Sequence, residues 1–160
     1  GISGPAILQI SSYWREGDTL SLDLARGVDV AQGLREARQD AGRVQLRTAL
    51  ARFVPEKLAR HLETVSTLTG NLADQNNARL DKLAALVHGY PITPVGSEGY
   101  RTAEVTLGGV STDALDARTM QAKDVPGLFF VGEVVDVTGW LGGYNFQWAW
   151  SSGWAAGQVA

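Results

Sequence analysis

Along the first ninety residues the spacing of apolar positions changes period several times. Ser3-Gly4-Pro5 predicts the start of a short helix running to about Ser12, because Ser or Gly suits the cap and Pro is tolerated at the first helical position. Thr19-Leu20-Ser21-Leu22-Asp23-Leu24 alternates strictly, which predicts a half-buried strand with its leucines on one face. Asp29 is placed to cap a helix over about 30–39, a second helical stretch covers about 44–53, and Pro55 opens a third that ends before Gly70. Asp74 is placed to cap a fourth, with Leu80, Leu83, Ala84 and Val87 on one stripe and Gly89 as its stop. Pro91 and Pro94 stiffen the exit.

From about residue 96 the pattern is different. Arg101–Leu107 alternates as a strand and runs into Gly108-Gly109-Val110. Leu128-Phe129-Phe130-Val131 is a continuous apolar run of the kind found in a strand buried on both faces. It delivers Gly132-Glu133, then a glycine-rich loop over 138–145, then a final helix from about Asn145. Gly153 and Gly157, four apart on that helix, predict a close approach to a neighbouring backbone.

Charge sharpens this division into two lobes. Residues 26–60 hold eight basic side chains (Arg26, Arg35, Arg38, Arg43, Arg47, Arg52, Lys57, Arg60) against four acidic ones. Residues 137–160 hold none, yet carry four of the five tryptophans. The middle therefore reads as a solvated helical lobe and the end as a segment buried against something. The whole chain, 160 residues with a net charge of −3, exerts no global pull toward nucleic acid or anionic lipid. The absence of cysteine excludes disulfides, thiolate metal sites and a cysteine nucleophile, and two histidines do not make a multi-histidine metal site. No signal peptide or membrane-length apolar run is present, so a soluble, cytoplasmic protein is the expectation. The opening Gly1-Ile2-Ser3-Gly4-Pro5 and the closing Gly157-Gln158-Val159-Ala160 read as mid-structure, which suggests a piece of a longer protein.

The informative unit is strand, acid, glycine loop, helix. In open α/β sheets ligands sit outside the carboxyl ends of the strands, where Gly132-Glu133 is expected. A carboxylate there can accept hydrogen bonds from a polyol chain. Gly142-Gly143 lets a backbone approach a ligand, and the helix behind Asn145 directs unpaired N–H groups and about half a positive charge forward. Such an end suits an electron-rich ring, for example the N1/C2=O edge of a reduced flavin.

The run from Gly127 to Gly139, followed by Gly142-Gly143-Tyr144-Asn145-Phe146-Gln147-Trp148-Ala149-Trp150-Ser151-Ser152-Gly153, resembles the C-terminal signature of the BaiN/RdsA-type, or YhiN-like, NAD(P)/FAD-dependent oxidoreductases of bacteria. Gly1–Ala6, and Gly99–Thr106 with Gly108-Gly109-Val110, agree with the same family, and the resemblance covers the chain at about the last two-fifths of a member. It implies an α/β fold: the C-terminal part of a two-dinucleotide-binding-type FAD domain over 96–160, and over 1–92 the later part of an inserted barrel and helical domain. It implies further that Gly132 and Glu133 meet the ribityl or pyrophosphate region of FAD, with Asp136 close by. Gly142, Gly143, Tyr144 and Asn145 would surround the pyrimidine edge, and Gly108, Gly109 and Val110 would border the ring. NAD(P)H is the implied electron donor. The implied reaction is hydride transfer to a carbon–carbon double bond of a small molecule or an RNA base. Two other readings stand beside it: an oxidase that makes hydrogen peroxide, and an RNA-associated protein that docks through its basic helical lobe.

The family's Gly-x-Gly-x-x-Gly fingerprint for the ADP half of FAD does not occur after a strand in these residues, so the chain by itself is expected to bind FAD poorly. Asp136 is equally suited to capping loop backbone. Trp148, Trp150 and Trp154 are expected to pack, whereas Trp140 on the loop is placed to meet a ring or substrate. Ser151-Ser152 has no histidine to make it a nucleophile, and His61 and His88 are expected to be surface or core residues of helices.

Overall fold

Six α-helices and two three-residue strands form along the chain, and the computed structural model describes all of residues 1–160. The chain divides into a unit built from Gly1–Glu16 and Val95–Ala160 (unit 1) and a unit built from Gly17–Pro94 (unit 2). The sequence grouping changed over between residues 92 and 96. The compact units change over at Pro94–Val95, and the first sixteen residues group with the later segment.

In unit 2 the alternating leucines form β1 (Leu20–Leu22), paired antiparallel with β2 (Tyr90–Ile92), with Leu20 opposite Ile92 and Leu22 opposite Tyr90. Pro91, which has no N–H to donate, is tolerated because the ribbon has only edge strands. Helix α2 (Val30–Ala41) begins as expected at Asp29, whose carboxylate accepts the Gln32 N–H at 2.9 Å. Helix α3 is shorter than its predicted stretch, Leu46–Leu50, and the chain beyond it winds on as turns. Helix α4 (Glu56–Ser66) follows Pro55 and stops at Thr67, which takes a left-handed conformation.

Helix α5 (Asn77–His88) is capped by Asn76, which accepts the Arg79 N–H, and not by Asp74. The Asp74 carboxylate turns back to the Asn71 N–H and closes a single 3₁₀ turn over Leu72–Asp74. That turn buries Leu72 completely, and the extended Gln75 separates it from the helix. The Arg38 guanidinium ties α2 to this junction through the Gln75 carbonyl and the Asn77 side chain, each at 2.6 Å. Fifteen buried apolar residues fill the centre of unit 2, including the predicted stripe Leu80, Leu83, Ala84 and Val87.

Unit 1 contains α1 (Pro5–Ser11), a long irregular stretch, and α6 (Tyr144–Gly157). Residues 101–107 are not a strand: a 3₁₀ turn at Gly99–Arg101 leads into exposed irregular backbone. Alternation makes a strand only where a neighbour supplies the other half of the ladder, and the first pairing here is the isolated parallel bridge of Val110 with Val135. Residues 128–131 likewise make only one bridge, between Gln121 and Phe129, and Leu128 and Val131 face solvent instead of being buried on both sides. The final helix departs from expectation in the same sense. Trp150 and Trp154 are 68% and 70% exposed, and side chains built at Gly153 or Gly157 would meet nothing. Trp148 alone of the helix tryptophans joins the small cluster of Leu115, Met120, Val135 and Ala156.

Candidate functional site

The expected strand end is a tightly held corner. Gly132 opens a 3₁₀ turn over Gly132–Val134, and both ends of its backbone are taken by α6. Its N–H donates to the Ser152 hydroxyl at 2.9 Å, and its carbonyl accepts the Trp148 indole N–H at 3.0 Å. Ser152 donates in turn to the Trp148 carbonyl at 2.7 Å. This clamp was not foreseen. Its only trace in the sequence is the spacing of four between Trp148 and Ser152, which puts both on one helix face.

Two further segments are fastened to the corner. The Val110 N–H donates to the Val134 carbonyl at 2.8 Å, and the Asp136 N–H donates to the Val110 carbonyl at 2.9 Å. Gly109 is obligatory in this arrangement: a Cβ there would lie 2.4 Å from the Val134 oxygen, and its φ of +146° disfavours other residues. Glu133 is exposed, and one of its oxygens accepts the Thr106 N–H at 2.9 Å. The carboxylate thus anchors the segment before Gly108 and keeps its second oxygen free. Asp136 is exposed, with its carboxylate unbonded. So Gly109, Val110, Gly132, Glu133 and Asp136 come together around one corner, with Gly108 beside them in open space.

The glycine loop is closed on itself and held from behind. The Asn145 side chain accepts the Gly139 N–H at 2.6 Å and donates to the Gly139 carbonyl at 3.3 Å. The Asn145 side chain therefore shapes the loop. Two residues of α1 supply the outer support: Gln9 accepts the Leu141 N–H at 2.8 Å, and the Tyr13 hydroxyl accepts the Trp140 indole N–H at 3.1 Å. Neither Gln9 nor Tyr13 was singled out in the sequence, because a contact spanning more than a hundred residues leaves no local pattern. Trp140 remains 65% exposed.

At the front of the loop Gly143 sits at the N-cap of α6 with φ of +91°, and no side chain caps the helix. The first intrahelical bond runs from the Gln147 N–H to the Gly143 carbonyl, which leaves the N–H groups of Tyr144, Asn145 and Phe146 without acceptors inside the helix. A Cβ at Gly143 would meet nothing, so the space before these donors is open. The Tyr144 side chain is exposed beside them. Open donors, a positive helix end and no charged neighbour in 137–160 fit the electron-rich edge of a flavin-like ring or a comparable anion.

The histidines stand elsewhere. His61 bonds the Tyr90 hydroxyl at 2.7 Å, and His88 donates to the Asp23 carboxylate at 2.8 Å, both within unit 2. The His88 bond, aided by the Ala25 N–H, holds the Asp23 carboxyl below its ordinary range.

Comparison with known proteins gives this arrangement a context. Residues 27–159 match the model of the family described as HI0933-like protein Rossmann domain. The chain is 50% identical over 159 residues to a ribosomal RNA dihydrouridine synthase of Escherichia coli, and 46% identical over 156 residues to the Haemophilus influenzae protein of the same name. Those alignments take in 99% and 97% of this chain and 40% and 39% of the relatives. A 3-dehydro-bile acid delta(4,6)-reductase of Clostridium scindens is 28% identical over the full chain and 42% of its own length. The chain thus spans about two-fifths of the length of the curated relatives it matches.

Proposed function

Because the chain belongs to the HI0933-like Rossmann-domain family, we propose that it is the flavin-facing C-terminal portion of an FAD-dependent reductase that saturates a carbon–carbon double bond. The observation that carries this reading is the uncapped N-terminus of α6 behind Gly143, in a loop fixed by Gln9, Tyr13 and Asn145. Relatives named for making dihydrouridine and for reducing a bile acid double bond share that outcome, the addition of a hydride and a proton across C=C.

In this reading the free N–H groups of Tyr144, Asn145 and Phe146 hold the pyrimidine edge of the isoalloxazine. A helix end of this kind favours the more negative, reduced state by roughly 0.3–2 kcal/mol. Glu133, through its free oxygen, and Asp136 take hydroxyls of the ribityl chain. Gly109, which lets its segment lie against the Val134 backbone, would let that segment border the ring. FAD, when bound, supplies the hydride, and a reduced nicotinamide restores it. The residues described here orient the cofactor and exclude side chains from its face. The greater identity to the two ribosomal RNA enzymes favours a uracil base in RNA as the substrate, with the 5,6 double bond reduced.

The test is the complete protein, purified beside this chain. The expected outcome is an oxidised-flavin spectrum in the complete protein only, bleached anaerobically by NADH or NADPH, with dihydrouridine appearing in added ribosomal RNA. No flavin in the complete protein even after FAD is supplied would overturn the reading. Stoichiometric hydrogen peroxide without RNA reduction would replace it with an oxidase.

A further inference from the structure

The cations between residues 35 and 60 of unit 2 fall into two sets. Arg35 pairs with Asp81, and Arg38 is committed to the Gln75 carbonyl and the Asn77 side chain. Arg43, Arg47, Arg52 and Lys57 are exposed, and their side chains make no hydrogen bond or ion pair. Arg60 has only Glu56, four residues back at 2.9 Å, and both side chains are largely in water, where such a pair contributes little. From residue 43 to residue 60 the chain therefore presents five cations against the single carboxylate of Glu56.

These residues lie on neighbouring elements. Arg47 on α3 and Arg60 on α4 line one open cleft of about 390 Å³, together with Thr48, Ala51 and Glu56. Arg43 precedes α3, and Arg52 and Lys57 flank the turn into α4. Beneath them Leu46, Ala49, Leu50, Ala59 and Leu62 are fully buried, so a firm apolar base holds the charges in place. The cleft offers guanidinium forks and a hydroxyl but no exposed aromatic on which a base could stack. Its chemistry is that of phosphate recognition without base reading.

We propose that this α3–α4 face, formed by Arg43, Arg47, Arg52, Lys57 and Arg60, is the surface on which unit 2 holds the phosphate backbone of a structured RNA. The inference rests on the reading that the substrate is a base in RNA, and adds where the rest of that RNA is gripped. Arginine suits the task because its planar fork matches phosphate oxygens in pairs. A backbone with a charge at every nucleotide can engage several of these heads at once.

The experiment uses the complete protein and its Arg43→Gln/Arg47→Gln/Arg52→Gln variant, with protein-free ribosomal RNA as the probe and flavin content as the check on folding. Binding is measured across a salt series. For the variant, log K against log salt should become shallower by about one for each arginine lost. Affinity at low salt should fall roughly tenfold, and KM for RNA should rise while kcat holds. The matching triple Arg→Lys protein should keep the wild-type slope. An unchanged slope and KM in the glutamine variant would overturn the assignment. So would loss of binding to phosphatidylglycerol vesicles with RNA binding intact, which would make the face a membrane contact. If the wild type binds RNA with the expected slope but forms no dihydrouridine, the substrate reading fails and the surface stands.

Discussion

Units 1 and 2 are close in length, yet they hold together in different ways. Unit 2 encloses fifteen buried apolar residues, most of them with no exposed surface. Unit 1 gathers four, while Phe146, Trp150 and Trp154 of α6 lie open. What fixes unit 1 is a set of directed bonds: the Ser152 and Trp148 clamp on Gly132, the Asn145 closure of the loop, and the Gln9 and Tyr13 supports. Packing is non-directional and tolerates small shifts, whereas hydrogen bonds fix atoms in place. The contrast teaches that the part read as cofactor-facing gains its geometry from polar bonds, and that the part read as RNA-holding gains its rigidity from a core.

Three substitutions sharpen or break this contrast, and the chain supplies its own reporters. All five tryptophans lie in unit 1, so fluorescence follows that unit, while most helical residues, and hence far-ultraviolet circular dichroism, report on unit 2. Leu83→Ala should have the largest effect, about 2–5 kcal/mol, because it opens a cavity in a filled core. In urea the dichroism midpoint should fall while the fluorescence midpoint stays. A joint shift of both would mean that the two units unfold as one. Ser152→Ala should do the reverse at a cost of about 1–3 kcal/mol, by leaving the Gly132 N–H buried without an acceptor. An unmoved fluorescence midpoint would remove the clamp from the account.

The smallest effect concerns pH. The Asp23 carboxyl is held below its ordinary value by the His88 bond, so the stability it contributes is complete above about pH 4. That contribution is lost as the pH falls through the lowered native value. Asp23→Asn should therefore flatten the acid limb of the dichroism stability curve and leave the fluorescence curve alone. An acid limb as steep as that of the wild type would assign the dependence to other carboxylates.

The same contrast explains how much the sequence disclosed. The helices of unit 2 were legible because their signals are local: Asp29 at a cap, Pro55 at a start, and the Leu80–Val87 stripe on one face. Two signals misled: the apolar stretch over 44–53 yields a helix only at Leu46–Leu50, and Asp74 and Asn76 are both good cap residues, of which Asn76 caps α5 while Asp74 closes the turn that buries Leu72. In unit 1 the glycine loop and the start of α6 were legible from composition. The strands at 101–107 and 128–131 were not, because a strand is a property of two segments and the second is not written in the first. The Gly132 clamp was hidden for the same reason, being a matter of how α6 sits in three dimensions.

One consequence of β1 and β2 concerns the order of events in folding. Unit 1 is discontinuous, its two parts separated in sequence by the whole of unit 2. Bringing Gln9 to Leu141 requires closing a loop of more than a hundred residues, and the entropy lost rises with the logarithm of its length. The antiparallel pairing of Leu20 with Ile92, and the Thr19–Thr93 bond at 2.8 Å, draw the two crossing points of the chain together at the neck of unit 2. Once that neck has closed, the effective loop is only the residues between α1 and β1 and between β2 and the glycine loop. The short ribbon thus works as a splice: it lets the two sequence-distant parts of unit 1 meet at a far smaller entropic cost than the full separation would exact.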